Sequence, residues 1–478
     1  VSEPFELGLT FDDVLLVPQR SGVATRRQVD TRTRLCRGID LAIPIVSASM
    51  DSVTESRMAI AMAREGGIGI IHRFVPIATH VAEVQRVKRA ESVVIDKPYT
   101  VGPEATVRQA AAFMEEHGSA GILVLDRDRR LLGIVTARDV LFETELDRPI
   151  VTVMTPRERL ITAPVGTPVE EAKQILHRHR IEKLPLVDAE GRLRGLVTSR
   201  DIQSRLRYPQ ATKDEKGRLR VGAAIGVRGD YLERAQALVE AEVDVLVIDV
   251  AHGHSDLAVA TVEAVRARCG DVPLIAGNVA TPEGTRDLIA CGVDGVKVGV
   301  GPGSTCTTRV VTGAGVPQLT AILTCAEAAA ASDIPVIADG GIRGSGDLVK
   351  ALAAGAQTAM LGNLLAGTEE SPGAFVTRNG RQYKVYRGMA SLWTSAERRD
   401  MPQEDELLSE IVPEGIEALV PYRGRLSSVL TQLVGGLRSG MSYCGATTLA
   451  ELRRNARFMR VTDAGVREGM PHDVDALS

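Results

Sequence analysis

Near-continuous apolar runs recur along most of the chain, each closing on Gly, Asp, Asn or another polar residue before a stretch of helical periodicity. They occupy residues 243–249, 272–278, 295–300, 334–339 and 357–363, with two earlier runs at 43–49 and 66–72. Strands that are apolar at consecutive positions are buried on both faces, the mark of a parallel sheet covered by helices. At least seven such βα units favour a (β/α)8 TIM barrel over a doubly wound open sheet. In a barrel, the polar residues at the strand C-terminal ends gather at one mouth, where the site is expected.

A different rhythm interrupts this pattern. Gly133-Ile-Val-Thr136-Ala-Arg138-Asp139 recurs 62 positions later as Gly195-Leu-Val-Thr198-Ser-Arg200-Asp201, and the same offset relates Asp126 to Asp188. Each copy predicts a helix (107–117 and 169–179), a strand, a turn, a second strand and a helix opening at Thr-x-Arg-Asp. Two adjacent copies predict a pseudo-twofold pair over residues 93–204, inserted after the second barrel strand, with the barrel built from 1–92 and 205–478. The repeat resembles a tandem CBS (Bateman) module. In that family the Thr and Asp of the motif hold the ribose and phosphates of adenine or guanine nucleotides. The resemblance thus implies Thr136, Asp139, Thr198 and Asp201 as contacts for ATP or GTP. Capping of the following helix accounts for the same residue types without a ligand.

Composition narrows the class of partner. A net charge of −4 removes the electrostatic case for nucleic acid or an anionic membrane. No run of about 18 apolar residues suggests a membrane span. The first residues lack a charged and then apolar leader, so a cytoplasmic protein is expected. Six cysteines (36, 269, 291, 306, 325 and 444) are scattered without CxxC spacing. Neither a zinc site nor a disulfide framework is indicated.

One of those cysteines stands apart. The loop Gly301-Pro-Gly-Ser304-Thr-Cys306-Thr-Thr308-Arg309 follows an apolar strand run. Its glycines allow close approach of backbone to a ligand, and its N–H groups can converge on an anion. A thiol in that setting, followed by hydroxyls, is a candidate nucleophile. Asp339-Gly340-Gly341 and Leu361-Gly362-Asn363 end late strands, where barrels commonly form a phosphate cup from backbone N–H groups. Cup, Asp339 and Cys306 together describe a nucleoside monophosphate with its base near a nucleophile. Asp249 ends a neighbouring strand and is suited to the ribose of a second ligand, a dinucleotide. His252 and His254 lack a third ligand at usable spacing for a metal.

These residues resemble the IMP dehydrogenase/GMP reductase family over nearly the whole chain. The ordered matches include Leu9-Thr-Phe-Asp-Asp-Val, Ala48-Ser-Met-Asp51, Ala276-Gly-Asn-Val, 301–309, Val316-Pro-Gln-Leu, 339–343, Tyr386-Arg-Gly-Met389 and Val412-Pro-Glu-Gly415. The resemblance implies an NAD(P)-dependent purine oxidoreductase in which Cys306 bonds to purine C2. Carried over by motif, Ser304, Gly341, Gly362 and Tyr386 hold phosphate, with Asn363 where the family usually has serine. Asp339 holds the ribose, Met50 packs on the base and Glu414 accepts from the purine edge. Asp249 and Asn278 lie toward the cofactor, and Thr308 and Glu370 match the pair that handles a departing amine. The backbone of Gly301, Gly303 and Cys306 is implied as a K+ site, and the family assembles as tetramers that nucleotides stack into octamers.

Two departures bear on the direction of reaction. In the dehydrogenase, a flap after Tyr-Arg-Gly-Met supplies an Arg-Tyr pair that activates water. Here, in a flap of about 390–420, the stretch reads Trp393-Thr-Ser-Ala-Glu-Arg398-Arg399-Asp-Met401, without tyrosine. Near the C-terminus Glu468-Gly469-Met470 replaces the Glu-Ser-His that completes the dehydrogenase cation site. The expectation is NADPH-dependent deamination of GMP, or of a related guanine nucleotide, to IMP and ammonia. The alternatives are NAD-dependent oxidation of IMP to XMP, and a nucleotide sensor with little turnover.

Overall fold

A computed structural model describes residues 5–91, 94–96, 98–390 and 412–471. The chain divides into two compact units, Val1–Ala90 with Gln210–Asp214 and Leu219–Ser478, and Glu91–Pro209 with Glu215–Arg218. The second extends past residue 204 because its last helix runs Ser199–Arg207.

In the larger unit eight parallel strands close a barrel. They are β1 (Ile45–Ser47), β2 (Ile68–Ile71), β3 (Gly222–Ile225), β4 (Val245–Asp249), β5 (Leu274–Val279), β6 (Gly295–Val298), β7 (Val336–Asp339) and β8 (Thr358–Leu361), with β8 pairing β1. The helices that follow them in turn are α1 (Ser56–Arg64), α2 (Ile77–Ala90), α3 (Tyr231–Glu240), α4 (Asp256–Cys269), α5 (Pro282–Ala290), α6 (Gln318–Ala330), α7 (Ser345–Ala353) and α8 (Leu426–Tyr443). β3 lies outside the apolar runs because Gly222-Ala-Ala-Ile225 is built from small residues with little strand signature. Ser255 and Thr281 cap α4 and α5 by accepting from the N–H groups of Ala258 and Gly284. The βα loops therefore leave the strand ends at defined angles.

Register decides which side chains meet at the mouth. Asp249 pairs with Gly277, and Gly277 with Lys297. The β5–β6 ladder then skips Asn278, a bulge that frees its side chain from the regular alternation.

The smaller unit contains the repeat as two sheets. Gly121–Leu125 pairs antiparallel with Leu131–Thr136, and Lys183–Val187 with Leu193–Thr198. Gly121 faces Thr136 and Lys183 faces Thr198, so even the register obeys the 62-residue offset. Leu131 N donates to Gly191 O at 3.1 Å and Leu193 N to Arg129 O at 3.0 Å, a reciprocal pair of bonds about a pseudo-twofold axis. Leu123, Ile134, Leu193 and Leu196 share one small core across that axis.

Two buried polar clusters hold the barrel wall where the chain leaves and re-enters it. Lys88, near the end of α2, lies 2.9 Å from Asp214 and 2.8 Å from Asp244, and also donates to Leu219 O. Removing its charge takes the cation from between two largely buried carboxylates and leaves Asp244 with the more distant Arg220, 3.9 Å away, as its ion-pair partner among the described residues. Lys88→Met is expected to destabilise the protein by about 3–5 kcal/mol, read from denaturant unfolding. About two helix turns earlier, His80 is buried against α3 and its Nδ1 accepts from Arg234 Nη1 at 3.2 Å. Burial, reinforced by the Arg234 charge, pushes His80 down to about 3. The unfolded chain therefore binds a proton below about pH 6.5 that the folded chain refuses until about pH 3. Stability should fall with pH across that window, by up to about 1.4 kcal/mol per unit from this residue. His80→Gln should flatten the slope of unfolding free energy between pH 6 and 4.

Candidate active site

The thiol loop begins where β6 ends. Cys306 is half-buried, and its Sγ lies 3.1 Å from Thr308 Oγ1, which in turn lies 2.7 Å from Glu414 Oε2. The Thr308 hydroxyl has one proton. Since that proton goes to the carboxylate, Thr308 must accept from the thiol. The result is a two-bond path by which the thiol proton can reach Glu414. A strap around residue 415 holds this geometry: Thr307 N donates to Glu414 O at 2.8 Å, and Ile416 N to Thr305 O at 2.9 Å.

This pairing corrects one expectation. Glu370 does not meet Thr308; its Oε2 accepts from Leu426 N at 2.8 Å, at the start of α8. The carboxylate that reaches Thr308 is Glu414, delivered by the backbone bonds of the strap. Glu414 therefore faces both the hydroxyl relay and the position expected for the purine edge.

Other thiols are unlike Cys306. Cys36, Cys325 and Cys444 are buried. Burial pushes the Cys325 thiol up to about 11 and Cys36 further still. Cys269 and Cys291 are half-buried on the barrel helices or their ends, and burial raises both.

The residues assigned to phosphate and base converge from separate elements. Tyr386, 3% exposed, points its hydroxyl at Met50 Sδ, 3.6 Å away, and also bonds Ser304. Burial raises the Tyr386 pKa against the opposing pull of Ser304 and Thr305, so the phenol stays protonated. A Cβ at Gly362 would lie 2.7 Å from that hydroxyl, so a side chain there would displace it. Gly340 and Gly341 take φ of +89° and +79°, the left-handed region, which folds the turn after Asp339 against Pro302 of the thiol loop. Asn363 opens the short helix Asn363–Ala366 directly after Gly362.

Asp249, Asn278 and Asp339 are joined by a residue the sequence reading passes over. Lys297, 2% exposed at the centre of β6, places Nζ 2.7 Å from Asp249 Oδ1 and 2.5 Å from Asp339 Oδ2, and also bonds Asn278 Oδ1. Burial opposes the ammonium charge, but the two carboxylates outweigh it and hold the Lys297 pKa above its ordinary value. Asp249 is held below the usual carboxylate range because Lys297 and Ser49 outweigh its desolvation. Asn278 commits both ends of its amide, since Nδ2 donates to Gly299 O and Asp339 Oδ2 at 2.7 and 3.0 Å. Asp339 Oδ1 makes no bond within the described residues and is left open to a ligand. Gln318 adds a second tie: its Nε2 donates to both Val298 O and Asp339 O at 3.0 Å. The available signal for Lys297 was a cation amid the valines of a buried strand.

Elsewhere, Thr136 Oγ1 donates to Asp139 Oδ2 at 2.7 Å and Thr198 Oγ1 to Asp201 Oδ2 at 2.5 Å. In both repeats the motif side chains bond each other at a helix start, and capping bonds accompany them: Thr136 N donates to Asp139 Oδ2 at 2.8 Å and Asp201 N to Thr198 Oγ1 at 3.2 Å. His254 pairs with Asp287 at 2.8 Å. Among the described residues no group of three or more His, Cys, Asp or Glu could hold a metal ion, and no helix is long and apolar enough to cross a membrane. Arg398, Arg399 and Trp393 lie outside the described residues.

Lys297 also restricts its neighbour. A Cβ at Gly277 would lie 2.4 Å from Lys297 O and 2.7 Å from Lys297 Cβ. Gly277→Ala must push β5 from β6, with an expected loss of about 1–3 kcal/mol in a thermal or denaturant unfolding measurement.

Comparison with known proteins places this site in a family. The model for the IMP dehydrogenase / GMP reductase domain matches residues 8–472. Inosine-5'-monophosphate dehydrogenase of Aquifex aeolicus is 55% identical over 477 residues, covering 99% of this chain and 97% of that protein. The enzyme of the same name from Nitrosopumilus maritimus is 52% identical, covering 98% and 99%. A solved cysteine-to-alanine variant of Trypanosoma brucei GMP reductase in complex with guanosine 5'-monophosphate superposes with a TM-score of 0.93. It is 44% identical, and the match covers 99% of both chains. The same reductase in complex with guanosine 5'-triphosphate gives a TM-score of 0.82 at 42% identity, covering 96% of this chain and 99% of that one. The chain, with its closed barrel and its cysteine loop at the end of β6, is an oxidoreductase belonging to the IMP dehydrogenase/GMP reductase family.

Proposed function

We propose that this protein reduces GMP to IMP and ammonia with NADPH, through a covalent bond between Cys306 Sγ and purine C2. The observation that carries the direction is the stretch 393–401, which keeps arginines but lacks the tyrosine of the water-activating pair. Guanidinium alone is a poor base.

The bound nucleotide sits with phosphate against Ser304, Gly341, Gly362, Asn363 and Tyr386, ribose on the open oxygen of Asp339, and base against Met50. The thiol proton passes through Thr308 to Glu414 as Sγ adds to C2. Glu414, now protonated, sits beside the 2-amino group and can protonate it as it leaves. Loss of ammonia leaves an electron-poor C2 still bonded to sulfur. Asp249 and Asn278 would lie toward NADPH, which would supply the hydride that C2 accepts. The C–S bond then breaks, releasing IMP and the thiolate. The balance is GMP, NADPH and two protons to IMP, NADP+ and ammonium.

A monovalent cation such as K+ fits the donor set of the loop, whose Gly301, Gly303 and Cys306 carbonyls are hard oxygen ligands. Glu468-Gly469-Met470 offers that cation backbone carbonyls and one carboxylate, but no serine or histidine. Thr136, Asp139, Thr198 and Asp201 are proposed to take ATP or GTP, and the reductase relative in complex with guanosine 5'-triphosphate supports a nucleoside triphosphate as ligand. On this reading the assembly is a homotetramer or octamer in the cytoplasm.

The second reading, oxidation of IMP by NAD+ and water to XMP, draws on the relatives named inosine-5'-monophosphate dehydrogenase. The inserted repeat does not favour it, since the match to the reductase covers 99% of both chains.

Absorbance of reduced nicotinamide decides between them. GMP with NADPH should consume cofactor and release ammonia, and Cys306→Ala should abolish this. IMP with NAD+ should leave the absorbance unchanged; a rise with formation of XMP would replace the first reading by the second.

A further inference from the structure

Asp249 ends β4 and Asp339 ends β7, yet both carboxylates touch the same buried ammonium from the strand between them, Lys297 of β6. Two carboxylates that share one buried ammonium repel each other once it is removed, which disfavours ionisation of both. The bonds are also directional. Lys297 and Asn278 take Oδ2 of Asp339 and leave Oδ1 to the mouth, while Ser49 takes Oδ2 of Asp249 at 2.5 Å. We propose that Lys297 is a positioning residue for nucleotide binding: by bridging Asp249 and Asp339 it offsets their charge and fixes the free oxygen of Asp339 where it receives the ribose. The inference rests on the functional reading only in placing ribose at Asp339, which both directions of reaction share.

The surrounding groups sharpen the expectation. Arg73 is the other cation acting on Asp249, and the Tyr386 phenol acts on Asp339. Ser49 and Asn278 are neutral. Without Lys297, Arg73 remains as a positive charge acting on Asp249. One carboxylate of the pair should then hold a proton in the neutral range, and the geometry at Asp339 should loosen whenever it does not.

The test is GMP and IMP affinity by calorimetry from pH 5.5 to 8.5, with thermal melting over the same range. Affinities are read relative to wild type at each pH, since the phosphate of the ligand itself titrates at about pH 6. Lys297→Met should bind at least tenfold more weakly at pH 8 and melt lower there than at pH 5.5. The double variant Asp249→Asn/Lys297→Met restores the original charge of the cluster. It should recover most of the affinity at pH 8 and lose the pH dependence. If Lys297→Met does not fold at pH 8 while the double variant does, the charge argument stands. A Lys297→Met protein with wild-type affinity at every pH overturns the inference. So does a loss that is uniform in pH and equal in the double variant, or failure of both to fold, since each means Lys297 only fills space. Wild type that binds neither GMP nor IMP removes the nucleotide reading itself, and this inference with it.

Discussion

The mouth of this barrel is organised around one buried charge. An ammonium with 2% exposure is tolerated only because two carboxylates and an amide oxygen replace its water. That requirement propagates outward. Gly277 must lack a side chain so that β5 can lie beside Lys297, and the ladder must skip Asn278 so that its amide can turn inward. Gln318 then fastens the carbonyl of Asp339 to that of Val298, one residue beyond Lys297. The strand carrying the lysine is also the strand that launches the thiol loop. Fixing Lys297 therefore fixes the origin of Cys306 and the position of Asp339 together.

The nucleophile itself is held from the opposite side. It is linked through one hydroxyl to one carboxylate, and the strap around residue 415 keeps that carboxylate in place by main-chain bonds. Such an arrangement suits a thiol that must lose its proton as it attacks and hand one to a leaving group soon afterwards. It asks little of the side chains beyond Thr308 and Glu414.

Much of this was legible in the chain. The apolar runs named seven of the eight strands, because buried parallel strands write themselves as unbroken Val, Ile and Leu. The eighth, Gly222-Ala-Ala-Ile225, was silent because small residues carry almost no periodic signal. The 62-residue repeat foretold not only two copies but the shared register of their hairpins. The site was legible where a residue's role is local: a cysteine among glycines, a Gly-Gly turn, an aspartate ending a strand. It was not legible where the role depends on a partner far away in sequence. Thr308 meets Glu414 rather than Glu370 because of a strap 106 residues further on, and Lys297 could be read only once the barrel brought the ends of β4 and β7 to it.

The same distinction explains why overall similarity divides between two activities. On the proposed reading both reactions share the cysteine loop, the ribose carboxylate, the phosphate turn and the barrel that positions them, so identity over the whole chain does not separate them. Relatives at 55% and 52% identity carry one name and a structure at 44% the other. The reactions differ in what meets C2 after sulfur: water in one direction, an amine on its way out in the other. On the proposed reading, discrimination lies in the few groups that admit and activate water, and in this chain the stretch 393–401 is where that pattern is altered. A fold assigns the intermediate; a short loop decides which way it is reached.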